Sequence, residues 1–364
     1  MDTSLAEVVF DASGVCNFCR AYDHHVSALT DDPQKRRERL QQLVLRIRES
    51  GRGKPYDCVV GISGGVDSSY LVLIARDLGL RPLGVQFDNG WNTEVAVNNI
   101  ERLCRAMELD LRTYVVDWNE FRDVQLAFLK ASVRNVEAPS DHAIFATLYR
   151  IAAEIGLKFI LNGNNFATEF VSPNVSFGHS YRDARQIRGI HRQFGKVPLR
   201  TFPLLGNTKR VYYSHVRRIR SVRLLDELPE PYVKEAAIDR LKRTIGWRPY
   251  GGKHHESVIT RFHQAYILPV KFGVDKRRAH LSSLILSGQM TRNDALAELL
   301  ESPCPLEVVQ RDKAFVAKKF GVSEVELDAL LGCAERPYTD FPNEDRLDVL
   351  KDRVARFLAP FRRR

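Results

Sequence analysis

The run Ser63-Gly64-Gly65-Val66-Asp67-Ser68-Ser69 puts two glycines, three hydroxyls and one carboxylate into seven positions, a mixture suited to holding a phosphate group. The glycines let the backbone approach a ligand closely, and free N–H groups at the positive end of a following helix then face it. Ser63 and Asp67 are the candidates for direct roles, the hydroxyl meeting phosphate and the carboxylate organising Mg²⁺ or its water shell. No GK[ST] closes the run and no lysine follows the glycines, so it is not a Walker A loop. A glycine-rich turn without a ligand is the alternative, and the strand and helix on its two sides argue against it.

A second cluster lies at Tyr250 to His280, where Lys253, His254, His255, Glu256, Arg261, His263, Lys271, Asp275, Lys276, Arg277, Arg278 and His280 alternate with aromatic residues. It reads either as a pocket for an acidic ligand or as a polar helix pair satisfying its own charges. The pocket is favoured, because Arg and Lys converging on a cleft are the usual means of fixing phosphate or carboxylate. His254-His255-Glu256 is not HExxH, which leaves a zinc hydrolase with little support. Cys16 and Cys19, in CNFC, supply half of a tetrahedral zinc site. The other half is not evident: Cys304 with Cys333, or His24 with His25, are candidates, and two reduced thiols in a loop are the alternative.

The elements that must position these groups can be read from periodicity. Cys58 to Ile62 is a short apolar run of strand type, and Val66, Tyr70, Leu73, Ile74 and Leu78 recur at helical spacing. Strands at 82–87, 111–116 and 159–161 then alternate with helices at 93–107, 121–133 and 140–156, the last entered through Pro139 with Ser140 and Asp141 as capping candidates. This predicts an α/β fold, a doubly wound parallel sheet. Ligands of such sheets lie beyond the carboxyl ends of the strands, so 63–69, 88–90 and 163–169 should share one crevice. The residues placed to line it are Ser63, Gly64, Gly65, Val66, Asp67, Ser68, Ser69, Asp88, Gly163 and Asn164, and the family resemblance given below implies that their ligand is ATP.

Outside that core, 1–50 forms a CxxC segment with an amphipathic helix at 33–50, and 51–170 is the nucleotide unit. Residues 171–364 supply an irregular, substrate-facing insertion to about 210, partly mobile when empty, and then a mostly helical region with starts at 291–294 and 323–326. There is no internal repeat or low-complexity tract.

With 364 residues, 44% of them hydrophobic, the chain can bury a large core. No window approaches a membrane span and no signal-peptide core is present, which predicts a soluble cytoplasmic protein. Six cysteines are too few and too scattered for a disulfide scaffold. The net charge of +10 is concentrated between Arg182 and Arg223, where twelve Lys or Arg face one acid. Such a stripe calls for a phosphate-bearing partner without saying which.

The loop SGGVDS is similar to the pyrophosphate (PP) loop of the N-type ATP pyrophosphatases, the group of GMP, asparagine and NAD synthetases and the tRNA thiolases. With FDNGWNTE at 87–94, LNGNNFATE at 161–169 and YGGKHHES followed by TRFHQAYILPVKFGVDKRRAH, nearly the whole chain resembles the N-acetyl sugar amidotransferases of lipopolysaccharide and surface-glycan biosynthesis. The resemblance implies that ATP and Mg²⁺ activate an N-acetyl oxygen on a nucleotide-linked amino sugar, or its uronic acid, for replacement by ammonia as an acetamidino group. It also implies ammonia from a separate glutaminase like that of histidine biosynthesis, with a cyclase-like conducting subunit. The pocket for the sugar nucleotide would be Glu169, Lys253, His254, Glu256, Arg261, Lys271, Lys276 and Arg277. One departure stands out: the family often carries a first CxxC ahead of a Met-Asp-Thr-Ser-like segment, whereas this sequence opens at Met1-Asp2-Thr3-Ser4. Either an internal methionine has been taken as the start or the zinc site is degenerate. The rival readings are tRNA thiolation or lysidine-type modification by the same ATP chemistry, and a nucleotide-binding scaffold without chemistry. No membrane and no specific nucleic acid is expected as a partner.

Overall fold

Five parallel strands, β1 Cys58–Gly61, β2 Pro82–Asp88, β3 Leu111–Val115, β4 Phe159–Leu161 and β5 Arg220–Val222, form a sheet in the order β3-β2-β1-β4-β5. The computed structural model describes residues 1–345 except 4, 6, 29–31 and 174–176. Ser4 and the helical expectation beyond 345 therefore lie outside the described residues. Gly61 pairs with Val85 and Val60 with Leu161, which makes β1 the centre of the sheet. Its side chains alternate between two cores: Cys58 and Val60 face Leu71 and Leu103, while Val59 faces Ala146, Tyr149 and Ile151. A strand buried on both faces needs the continuous apolar run seen here.

The helices are α1 Asn17–Ala28, α2 Pro33–Ser50, α3 Val66–Asp77, α4 Glu94–Met107, α5 Trp118–Ala131, α6 Ala138–Glu154, α7 Phe166–Glu169, α8 Ala184–Phe194 and α9 Asn207–Val211. From β1 the chain winds outward through α3 and α4 to β3, then returns through α5 and α6 to β4, so the winding reverses between β1 and β4. That is where an open α/β sheet offers a crevice.

Two helix starts differ from the sequence expectation. The third helix of the alternation begins at Trp118, not 121, because the Asp117 carboxylate accepts from the N–H groups of Asn119 and Glu120. The fourth, α6, begins at Ala138 with Pro139 inside the first turn, where a missing N–H costs nothing. Ser140 and Asp141 are thus helical residues rather than caps, and Ser140 Oγ instead accepts from Gln125 Nε2 at 3.0 Å.

The alternation also does not stop at 170. β5 adds a fifth strand from the arginine-rich stretch Arg220–Val222, paired in parallel with β4, and its charges are those of an edge strand. Nor is the insertion aperiodic: α8 is capped by Asp183 and buries Ala184, Ile187 and Ile190. Two carboxylates of α5 anchor the chain beyond α8, Asp123 accepting from the N–H groups of Lys196 and Val197, and Glu120 from those of Thr201 and Phe202.

The remaining helices are α10 Lys234–Ile245, α11 Val258–Phe262, α12 Leu268–Phe272, α13 Arg277–Leu286, α14 Arg292–Leu300, α15 Leu306–Phe320 and α16 Glu324–Gly332, with a π-helical turn His263–Ile267 joining α11 to α12. Thr291 and Ser323 cap α14 and α16 as the sequence predicts. Among the described residues no helix is long and apolar enough to cross a membrane.

Candidate active site

The loop after β1 is shaped by its glycines and clamped by the C-terminal half of the chain. Gly64 has φ +79°, and a Cβ there would lie 2.4 Å from the Ala96 carbonyl oxygen, so only glycine fits. Its own carbonyl accepts from the indole N–H of buried Trp247 at 3.1 Å. Ser63 Oγ accepts from Gly65 N–H at 3.2 Å and lies 3.2 Å from Ser68 Oγ. Tyr250 closes the loop: its hydroxyl accepts from Val66 N–H and donates to Glu256. Two buried oxygens here, Ser69 Oγ and Glu256 Oε2, have no hydrogen-bond partner among the described residues. Buried polar atoms are rarely left so: the Ser69 hydroxyl, in the first turn of α3, can donate to a phosphate there, whereas the Glu256 carboxylate oxygen can only accept, from a ligand hydroxyl or a metal-bound water.

Across the crevice stands Glu169, at the end of α7. Its Oε1 lies 2.9 Å from Lys253 Nζ and its other oxygen accepts from Asn164 Nδ2. Burial opposes its ionisation, yet Lys253, His254 and Asn164 outweigh that and hold the carboxyl at about 2. His254 bridges onward, 3.9 Å from Glu169 and 3.8 Å from Glu256. Gly163 packs against the first turn of α3, where a Cβ would meet Ser68 N at 3.3 Å.

Asp67 is in a different condition. Tyr232 donates to its Oδ1 at 2.6 Å, and burial raises the carboxyl above the usual range, with the pull of Lys253 only partly offsetting it. A carboxylate held in the crevice without a paired cation suits Mg²⁺, which takes one or two carboxylates and completes its shell with water and phosphate. Asp88 ends β2 and accepts from Gly90 N–H. The loop beyond it is stitched to the second cluster, Thr93 N–H donating to the Glu256 carbonyl and Val258 N–H to that of Trp91. That stitching carries Lys253, His254 and Glu256 to the phosphate loop.

The other members of the second cluster go elsewhere. Arg261 is buried in a two-pronged pair with Asp312, at 2.6 and 2.8 Å. Lys271 donates to the Leu330 carbonyl, and Arg277 is spent on Asp275 and the carbonyls of Glu298 and Glu301. These three are not brought into the crevice; for them the polar helix pair was the better description. Lys276 stays at its far side, 5.4 Å over the Phe177 ring and within electrostatic reach of Glu137 and Asp141.

Sequence reasoning missed Tyr232, Lys234 and the roles of Tyr250 and His280. Lys234 Nζ donates to His280 Nε2, and the opposite nitrogen, Nδ1, donates to the Thr168 carbonyl. Burial and the two nearby lysines push His280 down to about 3, so it is a neutral wedge. Tyr250 and His280 stood in the cluster and could have been promoted; nothing in LPEPYVK signals Tyr232 or Lys234.

Asp141 lies one helical turn beyond Glu137, whose carboxylate meets His263 Nδ1 at 2.9 Å while His263 Nε2 donates to the Arg134 carbonyl. Asp141 is open to water yet walled by protein, and that enclosure, with the Glu137 charge, raises it to about 6. The raised value means that the native state holds this proton more tightly than the unfolded chain does. Stability from this group is therefore full at low pH and lost as pH rises from about 4 through 6. Asp141→Asn should match the wild type in melting temperature at pH 4 and exceed it above pH 6.5. An equal or lower melting temperature throughout would contradict the assignment.

Cys16 and Cys19 face one another with sulfurs 3.2 Å apart, but the further ligands do not join them. Cys304 is buried in the core with Val309 and Val316, Cys333 is exposed at the end of α16, and His25 packs on Phe166. Among the described residues no cluster of three or more metal-ligating groups exists. Among the described residues, the two thiols are fewer than the four ligands that a structural zinc site takes. Cys58 is buried in β1 and burial raises its thiol, so it is no nucleophile.

A parallel sheet of this order with SGGVDS beyond its central strand defines an α/β protein whose loop is similar to the PP-loop. Residues 256–354 match the family of the LPS biosynthesis protein WbpG-like, C-terminal domain, so the helical region is similar to that of a lipopolysaccharide-biosynthesis protein. No curated protein matches the chain. Among solved structures, ammonia-dependent NAD synthetase from Campylobacter jejuni matches at 15% identity over 72% of this chain and 95% of its own, with a TM-score of 0.32. NMN synthetase from Francisella tularensis matches at 14% over 62% and 96%, TM-score 0.28. A predicted subunit of tRNA methyltransferase from Methanocaldococcus jannaschii matches at 12% over 51% and 75%, TM-score 0.30. Likenesses this distant carry no argument for function.

Proposed function

We propose that the protein is an ATP-dependent amidotransferase of surface-glycan biosynthesis, which adenylates the N-acetyl oxygen of a nucleotide-linked amino sugar and lets ammonia displace AMP. The observation that carries this reading is the meeting of two parts of the chain: Tyr250, just ahead of the matched region 256–354, accepts from the phosphate loop at Val66 and donates to Glu256, the first matched residue, while Lys253 pairs with Glu169 across the crevice. ATP and the sugar substrate would thus share one crevice. In that crevice Ser63, Ser68 and the N–H groups of the loop would hold phosphate oxygens, Asp67 would hold Mg²⁺, and Lys253 and His254 would lie where charge builds on the transferred group. Magnesium would supply charge neutralisation there. The atoms balance: the amide oxygen leaves on AMP, pyrophosphate is released, and ammonia nitrogen takes the oxygen's place. The test is incubation with ATP, Mg²⁺, ammonium and a panel of nucleotide N-acetyl sugars. AMP, pyrophosphate and a sugar carrying nitrogen in place of its amide oxygen are expected; absence of AMP with every sugar would overturn the reading.

The source of nitrogen is a second expected result. Among the described residues no cysteine is set with His and Glu as a glutaminase requires, and ammonium at pH 7 is mostly a cation without a lone pair. Turnover with ammonium salts should therefore rise with pH through the alkaline range, and glutamine should not replace ammonium until a glutaminase pair is added. Glutamine use by the purified chain alone would refute this.

A tRNA-modifying reading has one observation in its favour: Arg185, Arg188 and Arg192 lie exposed along one face of α8. If that stripe bound tRNA through six or more phosphate contacts, affinity would fall roughly 10³-fold or more between 50 and 200 mM salt. We expect weak, sequence-indifferent binding. A tight complex at physiological salt with a modified base as product would favour the rival.

A further inference from the structure

A cavity of about 370 Å³ opens between α2, Phe166 of α7 and the loop after β5, and none of the phosphate-loop residues lines it. Three arginines line it. Arg39 and Arg46 flank Leu43 on α2 at positions i, i+4 and i+7, one face of the helix, with Leu43 fixed in the core. Arg223 comes from the end of β5 with its guanidinium 3.9 Å over the Phe166 ring. Their neutralisation is incomplete. Arg39 is 3.6 Å from Glu227, and Arg223 approaches Asp226 Oδ2 through Nε at 3.2 Å, in an ion pair without a hydrogen bond. Arg46 makes no hydrogen bond or ion pair with any described residue. Three guanidinium groups thus face two carboxylates across a concave space, with the terminal nitrogens of Arg223 and all of Arg46 left to find an acceptor.

Guanidinium forks match phosphate oxygens in pairs, and a plate stacked on an aromatic ring is already ordered for that contact. The volume lies near the lower end of small-ligand sites, about 300–1,000 Å³, which admits a diphosphate and excludes a polymer. We propose that this cavity is a second anion site, taking a diphosphate-bearing small molecule on Arg39, Arg46 and Arg223, separate from the loop Ser63–Ser69.

The site is tied to the crevice by the one-turn helix α7. Phe166 faces the cavity, its N–H donating to Asp226 Oδ1 at 2.8 Å, and Glu169, three residues on, holds Lys253 in the crevice. A ligand drawing Arg223 away from Asp226 therefore acts on the same turn that positions Glu169.

Calorimetric titration of the full chain with inorganic pyrophosphate, without ATP or Mg²⁺, tests this. Two binding events are expected. Arg46→Ala, and separately Arg39→Ala with Arg46→Ala, should weaken one of them by about tenfold or more and leave ATP affinity unchanged; Ser63→Ala should weaken only the other. Both α2 arginines are exposed, so the variants keep the core. A parallel titration with uridine diphosphate separates the sources: equal affinity assigns recognition to the diphosphate alone, and tighter binding assigns the nucleoside a share. A single event abolished by Ser63→Ala, or two events indifferent to both arginine variants, would overturn the site and would leave the amidotransferase reading untouched.

Discussion

Asp67→Asn is expected to lower AMP and pyrophosphate formation by about a hundredfold or more while leaving the melting temperature equal to or above that of the wild type. The two halves of this expectation come from one observation. Burial raises the Asp67 carboxyl and no cation touches it directly, so its negative charge costs stability in the free protein. An asparagine keeps the oxygen that accepts from Tyr232 and removes that cost. What it cannot do is hold Mg²⁺ or balance the charge of a transferring phosphate. A residue kept ionisable at the expense of stability is the mark of a functional carboxylate. The measurement is pyrophosphate release beside a thermal melt for the same preparation. Near-normal release would remove Asp67 from the chemistry, and a melting temperature several degrees lower would make it a structural residue.

The strand, loop and helix around Ser63–Ser69 were legible because each carries its own local signal: β-type residues buried on both faces, a glycine, Gly64, where φ is positive, and apolar spacing near 3.6. The crevice was legible for a topological reason, since parallel strands wound outward and back must leave an opening at their carboxyl ends. Three things were hidden. β5 is short and arginine-rich, so its pairing with β4 overrides its composition. α8 buries small and branched residues between exposed arginines, which reads as a charge run. The partition of the second cluster was the deepest loss: Lys253 and Arg261 are equally basic and eight residues apart, and only the position of Asp312, far along the chain, decides that one is spent on the core. Tyr232 and Lys234 reach Asp67 and His280 through tertiary contact alone.

That partition gives the second large effect, which concerns the fold. Arg261 and Asp312 are both buried, joined by two parallel hydrogen bonds at 2.6 and 2.8 Å, and they tie α11 to α15. Arg261→Ala leaves the Asp312 carboxylate in the interior without a partner, and breaking a buried pair in this way costs about 3–5 kcal/mol. The expected result is a lower denaturant midpoint with an unchanged m-value. Replacing both residues with apolar ones of similar volume, Arg261→Met with Asp312→Leu, should recover most of the loss, because no charge is then stranded. A sugar-binding role for Arg261, as the sequence suggests, makes the opposite forecast, a raised KM in a protein of normal stability. Measuring both quantities on Arg261→Ala, with Lys253→Ala alongside, separates the two: Lys253 meets Glu169 beside the phosphate loop and should affect turnover, whereas Arg261 should affect the midpoint. If Arg261→Ala folds normally and only the KM for the sugar nucleotide rises, the buried pair is not what holds α11 to α15, and the arginine belongs to the substrate after all.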